Sequence, residues 1–205
     1  MKPEWVILFY EPLFRRVDYS WEGMKQNMTE TRLSGETVFQ GRVFDVQVDQ
    51  VRLANGSRAE REVVRHPGGV GVLAIDDQRR AVLVRQYRYG AGREMLEIPA
   101  GRLEPGENPK EAGLRELREE TGARAGFCID LGEMIPTGAY CSERIYLYLA
   151  NDLTWGETDP DEDEYVEIER VPLDALWADI RAGRVCDAKT VTAVCRALDI
   201  LDREG

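Results

Sequence analysis

The chain contains 205 residues, of which 43% are hydrophobic and 32% are charged. This is the composition of a globular domain with its own core, and it excludes an intrinsically disordered protein. Lysine and arginine number 27 against 38 aspartates and glutamates, and the resulting net charge of −11 argues against nucleic acid as a partner.

The first 27 residues carry aromatic and charged side chains without a regular period. An apolar run over residues 5–10 is too short to span a bilayer and lacks a signal-peptide cleavage site, so we expect no membrane partner. We interpret residues 1–27 as an N-terminal extension. The four cysteines form no CxxC pair and are typical of reduced thiols in a cytoplasmic protein.

Signals for β-strands begin at residue 36. Phe44, Val46 and Val48 alternate with other residues, and Asn55-Gly56 is typical of a hairpin turn. Residues 58–65 are the predicted return strand. We therefore assign residues 28–66 to an N-terminal region of antiparallel β-strands.

Strands and helices interleave through residues 67–205. Two strongly apolar runs, 70–75 and 81–84, are joined by a polar turn and predict buried central strands. Later strands are predicted at 127–135, 144–150 and 165–171, and helices at 173–182 and 187–203, the second with Asp187 as its N-cap. The fold class is therefore α/β (α+β), with a mixed sheet between helices.

A further helix is predicted directly after residue 108. Asn108 is a good N-cap, Pro109 suits the first helical position, and Gly122 supplies a left-handed stop. Leu114 and Leu117 lie on the face that should pack against the sheet. The boundaries of this helix are therefore set by the local sequence.

Three carboxylates share another face of this helix: Glu116, Glu119 and Glu120. We expect them to face solvent. Like charges spaced three and four residues apart destabilise a helix, so a cation is expected to offset them. Hard oxygen ligands suit Mg²⁺, with Mn²⁺ as a substitute. The alternative is an ordinary solvated, glutamate-rich helix.

The stretch over residues 101–123 decides between these interpretations, because it resembles the Nudix box. Every fixed position of that motif is filled, at Gly101, Glu107, Arg115, Glu116, Leu117, Glu119, Glu120, Gly122 and Ala123. The resemblance implies a Nudix fold and hydrolysis of a nucleoside diphosphate linked to another group. It also implies Glu116 and Glu120 as metal ligands with Glu119 beside them, and Arg115 as the residue that orients a carboxylate.

Residues 84–88 and 96–101 are similar to the segments that precede the box in ADP-ribose pyrophosphatases, and the similarity extends over about residues 38–198. It implies a metal-ligating backbone carbonyl at Ala100. It also implies that Glu104 joins the metal or water shell and that Arg88 meets a substrate phosphate. The acidic run at 159–164 is similar to the loop that supplies a base, for which Glu162 and Glu164 are both candidates.

Other positions are assigned by the same resemblance. Gly138 and Ala139 correspond to a substrate loop, although Pro136 is displaced from its usual place there, and Glu143 corresponds to an acidic residue near the site. In the family, N-terminal strands of one subunit often complete the partner's pocket. This implies a homodimer in which Phe44, Arg58 or Arg61 reaches the partner's substrate.

The sequence therefore predicts a Mg²⁺-dependent enzyme that cleaves ADP-ribose to AMP and ribose 5-phosphate. Three alternatives remain open. One is a pyrophosphatase for another substrate such as GDP-mannose, NADH or FAD. The second is a Nudix module that binds a nucleotide without cleaving it, and the third is an RNA-processing hydrolase, against which the acidic charge argues.

Overall fold

The computed structural model describes residues 28–159 and 165–201, so the predicted extension at 1–27 lies outside the described residues. An antiparallel sheet opens the described chain, with the order β1 (Thr31–Gln40), β2 (Asp45–Arg52) and β3 (Arg58–Arg65). The first strand begins earlier than the sequence pattern indicated. All ten of its residues are exposed, so it lacks the alternation of buried and exposed residues by which a strand is recognised.

The predicted hairpin turn joins β2 to β3. The Asn55 side chain accepts a hydrogen bond from the Ser57 N–H at 3.0 Å, and Gly56 has a φ of 84°. That backbone conformation is open to glycine and strained for most other residues. The prediction of a turn at these residues is confirmed.

Within the described residues, the second sheet has seven strands. They are β4 (Gly69–Ile75), β5 (Arg80–Arg88), β6 (Arg93–Glu97), β7 (Ala100–Arg102), β8 (Ala123–Met134), β9 (Ile145–Trp155) and β10 (Glu167–Pro172). The main path is β10-β5-β4-β9-β8, with β4 at its centre, β6 added beside β5 and β7 beside β4. The pairing of β4 with β9 is parallel, and the other pairings of this sheet are antiparallel.

Helices cover both faces of this sheet. They are α1 (Pro109–Thr121), α2 (Leu173–Arg181) and α3 (Ala188–Leu201). Val72 and its neighbours on one face of β4 pack in a cluster with Leu117 of α1, whereas Leu73 on the other face packs with Leu176 of α2 and Val194 of α3. The alternation along β4 separates the two cores, and the predicted mixed sheet between helices is confirmed.

Helix α1 lies unusually close to the central strand. A Cβ atom at Gly113 would come within 2.9 Å of a Cγ2 methyl carbon on both Val70 and Val72. The missing side chain therefore allows the backbone of the helix to approach β4, which lies beside β7. This close packing brings the acidic helix and β7 together.

Two predicted strands are longer in the structure. β8 begins at Ala123, directly after the cap of α1, and β9 continues to Trp155. Their extra residues pair with each other, as in the register Ala123 to Trp155. Several of these residues are exposed, which is why hydrophobicity did not reveal them. Among the described residues, none of the helices has the length and apolar character needed to cross a membrane.

Candidate active site

Helix α1 begins and ends where its local sequence predicted. The Asn108 side chain accepts hydrogen bonds from the N–H groups of Lys110 at 2.9 Å and Glu111 at 3.4 Å. Gly122 ends the helix with a φ of 70° and donates its N–H to the Arg118 carbonyl. Because both ends are fixed, the rotation of the helix about its axis determines where each glutamate points.

Glu120 does not face solvent, and that part of the sequence interpretation is wrong. Its side chain is among the most completely buried in the described chain, with 1% of the residue exposed. One carboxylate oxygen accepts a hydrogen bond from the Ala100 N–H of β7 at 3.0 Å. The sequence pattern assigned Glu120 to a solvent-facing side of the helix, but the short strand β7, which was not predicted, covers it.

Glu116 lies one turn earlier and meets the same short strand. A Cβ atom at Gly101 would overlap the Glu116 carboxylate group, so this carboxylate lies directly against the Gly101 backbone. The Glu116 side chain is 14% exposed. Glu116 and Glu120 therefore converge on two consecutive residues of β7, Ala100 and Gly101.

Arg115 donates hydrogen bonds to three carboxylates of this region. Its Nε and Nη2 atoms donate to the two oxygens of Glu107 at 3.0 and 3.1 Å, and its Nη1 atom donates to Glu116 at 2.9 Å and Glu119 at 3.0 Å. The bidentate hydrogen bond that Arg115 donates to Glu107 is the main cause of the raised pKa of Arg115, and it holds the pKa of Glu107 below its usual range. A permanently charged guanidinium thus lies between three carboxylates.

Glu119 is the most exposed of the three helix carboxylates, at 25% of its side chain. Its second oxygen accepts a hydrogen bond from Arg118 at 2.6 Å. Both oxygens are therefore held by arginines on the same helix, and the side chain lies at the edge of the cluster.

The donor atoms of this region fit a hard divalent cation by type. Carboxylate oxygens of Glu120 and Glu116 lie against the backbone of Ala100 and Gly101, and Glu119 shares the Arg115 Nη1 donor with Glu116. Within the described residues, no group of three or more acidic, histidine or cysteine side chains has its atoms already arranged to hold a metal ion. The Arg115 and Ala100 donors engage oxygens of these same carboxylates.

A second group of charges joins β5, β6 and α3, and it was missed in part by the sequence analysis. Arg88, at the end of β5, donates through Nε at 2.9 Å and Nη2 at 2.7 Å to the two oxygens of Glu97. Glu97 is 1% exposed and also accepts from the Lys189 ammonium of α3. An acidic residue inside the apolar run 96–98 was the signal that could have identified it.

The surroundings of Glu97 favour its charged form. Burial alone would raise the pKa of this carboxyl, but the hydrogen bonds from Arg88 and Lys189 and their positive charges outweigh burial and lower the pKa. The same pairing with Glu97 raises the pKa of Arg88, and the more distant charge of Glu120 adds to this effect. Arg88 is therefore electrostatically linked to the carboxylate that contacts β7.

The other predicted residues are distributed around this centre. Glu104 is exposed and donates its backbone N–H to Glu107 at 3.0 Å. Glu143 lies 3.5 Å from the His66 Nδ1 atom. Gly138 and Ala139 lie in a turn after β8, at a point where the backbone of Tyr140 bonds to Val64 of β3.

The residues predicted to reach a partner lie in the N-terminal sheet region. Arg61 on β3 forms an ion pair with Glu30 at 2.6 Å, and Phe44 stacks at an angle on Phe39 with 6.0 Å between the ring centroids. Phe44 is 40% exposed and Phe39 is 52% exposed. In the described part of this single chain, these side chains are engaged with their own sheet.

Both candidate bases, Glu162 and Glu164, lie outside the described residues. The chain that leads to them is attached to the end of α1. The N–H of Gly156 donates to the Gly122 carbonyl and the N–H of Asp159 donates to the Glu119 carbonyl, both at 2.8 Å. The acidic run therefore starts next to the backbone of Glu119.

Comparisons with protein families match nearly all of the described chain. A model described as the NUDIX domain matches residues 65–193. A model described as the nucleoside diphosphate sugar hydrolase N-terminal domain matches residues 30–64. The two models meet between residues 64 and 65, at the last residue of β3.

Two bacterial relatives align over most of their own length. The methanol dehydrogenase activator of Bacillus methanolicus is 42% identical over 80% of this chain and 90% of its own. The ADP-ribose pyrophosphatase of Bacillus subtilis (strain 168) is 37% identical over 82% of this chain and 92% of its own. A crystal structure of an ADP compounds hydrolase superposes with a TM-score of 0.76 and 27% identity, covering 86% of this chain and 96% of that one.

Proposed function

The chain belongs to the NUDIX family, and we propose that it hydrolyses the diphosphate of ADP-ribose, with one water, to AMP and ribose 5-phosphate. The observation that carries the proposal is the convergence of Glu116 and Glu120 on Ala100 and Gly101 of β7. The names of the relatives support the choice of substrate, because one is an ADP-ribose pyrophosphatase and another an ADP compounds hydrolase.

We propose Mg²⁺ as the cofactor, with Mn²⁺ as a substitute. Glu116, Glu119, Glu120 and the Ala100 carbonyl would hold it, since these are the hard oxygen donors gathered at one place. The bound cation would spread the charge of the diphosphate and lower the pKa of a water molecule. Arg115 would then release part of its hold on Glu116 and keep its bidentate bond to Glu107.

Residues of the chain orient the carboxylates, bind the substrate phosphate and accept a proton. The Ala100 N–H fixes one oxygen of Glu120, and Arg115 fixes Glu119, so the carboxylates are oriented before substrate arrives. Arg88 binds a phosphate oxygen of the substrate. Glu162 or Glu164 accepts the proton of the attacking water, because the acidic run begins beside the Glu119 backbone.

We propose that residues 28–66 form the dimerisation region and that the homodimer completes the substrate pocket. Phe44 and Arg61 would reach the partner's nucleotide, while Gly138, Ala139, Glu143 and Glu104 would line the pocket in their own subunit. The exposed face of β1 supports the proposal, because a strand with all ten residues exposed presents an unpaired edge and an open face.

The proposal is tested by turnover of a substrate panel with Mg²⁺ and with EDTA, measured by chromatography. The panel contains ADP-ribose, GDP-mannose, NADH, FAD and a diadenosine polyphosphate. We expect AMP and ribose 5-phosphate from ADP-ribose, and no reaction in EDTA. Preferred turnover of another member would contradict the choice of substrate, and binding without turnover of any member would contradict hydrolysis and favour a nucleotide-sensing module.

A further inference from the structure

The buried carboxylate Glu97 is held from two sides. It is the last residue of β6, and it lies three residues before Ala100 in the chain. Arg88 takes both of its oxygens in a bidentate contact, and the Lys189 ammonium from the first turn of α3 bonds to one of them. A buried carboxylate with an unpaired oxygen destabilises the folded protein, so both Arg88 and Lys189 are needed as partners. Because both bind Glu97, each of them also limits where the other can lie.

The first turn of α3 also holds the residue after Glu97. Asp187 accepts from the Thr190 N–H at 2.9 Å and from its hydroxyl at 2.6 Å, and it accepts from Lys189 at 3.0 Å. The Thr190 hydroxyl oxygen in turn accepts from the Ile98 N–H at 2.9 Å. Two separate contacts therefore join α3 to the strand segment that leads to the candidate metal ligands.

The contact with Glu97 determines which edge of Arg88 is available. Arg88 uses Nε and Nη2 on Glu97, and its Nη1 atom takes no part in that contact. The Arg88 side chain is 40% exposed although its partner is buried. A planar guanidinium held along one edge presents its other edge in a fixed direction, which is the geometry that bidentate arginines use for phosphates.

We propose that Lys189 is a positioning residue for substrate binding: by holding Glu97, it keeps the free edge of Arg88 directed at a phosphate of the nucleoside diphosphate. Without Lys189, one Glu97 oxygen loses a charged partner and the carboxylate can rotate, so Arg88 loses its orientation. This inference rests on the proposed function, in which Arg88 meets a substrate phosphate. Lys189 itself does not touch the substrate.

The test is the steady-state kinetics of Lys189→Met with ADP-ribose at saturating Mg²⁺. We expect KM to rise about tenfold, the size expected for a disturbed hydrogen bond to a charged group, with kcat nearly unchanged. Lys189→Arg keeps a charged donor and should restore most of the lost affinity. Lys110→Met makes the same chemical change at an exposed position on α1 and should leave both constants unchanged.

A double-mutant cycle separates positioning from simple stabilisation. In an Arg88→Met background, Lys189→Met should raise KM no further, because its effect passes through Arg88. If the double variant showed the product of the two single rises in KM, the effects would be independent and the proposal would be overturned. A fall in kcat with unchanged KM in Lys189→Met would also overturn it. Thr190→Val removes the other contact of α3 and shows what general disturbance of this helix does to KM and kcat.

Two further outcomes are interpretable. If Lys189→Met does not fold, Lys189→Gln carries the same test, because its amide is uncharged and one bond shorter than the lysine side chain and therefore holds Glu97 less firmly. A raised KM is expected there too, and an unchanged KM would overturn the proposal. If the wild-type protein does not hydrolyse ADP-ribose, the proposed substrate fails before any variant is made. The cycle is then measured with the panel substrate that the wild type cleaves, so the two failures are distinguished.

Discussion

Glu120 combines a charge with almost complete burial, and this combination makes it the most informative residue to change. Its carboxylate accepts a hydrogen bond from the Ala100 N–H, and Glu116, one helical turn earlier, contacts Gly101. Neutralising an exposed glutamate changes the stability of the fold little, because water solvates the side chain in either form. At the buried Glu120, the stability of the fold depends on whether the replacement can still accept the hydrogen bond from the Ala100 N–H.

We therefore predict that Glu120→Gln folds but is nearly inactive. The glutamine carbonyl can accept from the Ala100 N–H, so the melting temperature should change little. The lost charge should lower kcat by about three orders of magnitude, the upper range for removing one group that stabilises a charged transition state. Glu111→Gln, an exposed position on the same helix, is the matched control. Near-normal turnover of Glu120→Gln at saturating Mg²⁺ would exclude Glu120 as a metal ligand.

A separate prediction concerns the pH dependence of the stability that Glu97 contributes. Arg88 and Lys189 lower its pKa in the folded protein below the ordinary value of 4.5. A lowered folded pKa stabilises the protein above the unfolded pKa, and this stabilisation is lost as the pH falls through the folded pKa. The contribution of Glu97 should thus be complete near neutrality and should disappear in acid.

The measurement is urea unfolding of wild type and Glu97→Gln at about pH 7 and at about pH 3, below the unfolded pKa. We expect the variant to be less stable at neutral pH and the gap in unfolding free energy to narrow in acid. Glu62→Gln replaces an exposed carboxylate on β3 and controls for general charge effects. A gap that widens in acid would show that the pKa of Glu97 is raised in the folded protein.

At the scale of elements, the decisive contact joins helix α1 to the short strand β7. The helix can approach because Gly113 has no side chain toward β4, and the Glu116 carboxylate can lie on the strand because Gly101 has none. The site thus depends on two glycines whose role is close backbone approach.

Gly101→Ala should preserve the fold and damage the site. The new Cβ would overlap the Glu116 carboxylate, which must then turn away. We expect kcat to fall about a hundredfold, the effect of misplacing a catalytic group by about an ångström. Gly90→Ala, on the turn after β5 where a Cβ meets nothing within 4 Å, is the control. Equal activity of both variants would show that Glu116 need not lie against β7.

At the scale of the whole molecule, the end of β1 and the turn that follows it carry four exposed apolar side chains, of which Phe39 and Phe44 contact each other. Val38, Phe39, Val43 and Phe44 are each at least 40% exposed. Clustered exposed apolar groups next to an unpaired strand edge are typical of an interface. The two family models meet at the last residue of β3, so the first model covers nearly all of this sheet and the second covers helix α1 with its carboxylates.

We predict that light scattering will give twice the chain mass of 23.3 kDa. Phe39→Asp should shift the protein toward the monomer and raise KM, if the partner completes the pocket. Phe127→Asp makes the same change on β8 at a side chain of similar exposure, 55% against 52%, and should leave the mass unchanged. A monomeric wild type with full activity would contradict both the dimer and the shared pocket.

Sequence by itself determined the parts of this protein that depend on neighbouring residues. Helix α1 follows from Asn108, Pro109 and Gly122, whose effects act within a turn of the helix. The hairpin at Gly56 and the buried run of β4 follow from turn chemistry and continuous hydrophobicity. The spacing of the box also predicted that Glu116, Glu119 and Glu120 lie on one helix, because the motif specifies residue identities along that helix.

Only the tertiary structure decided what those side chains touch. The contact of Glu120 with Ala100 spans 20 residues, and that of Lys189 with Glu97 spans 92. Such pairs depend on the register of β7 on β4 and on the packing of α3, which no local pattern encodes. The exposed strand β1 and the extra length of β9 escaped prediction for a related reason, because their pairing comes from neighbouring strands rather than from burial of their own side chains.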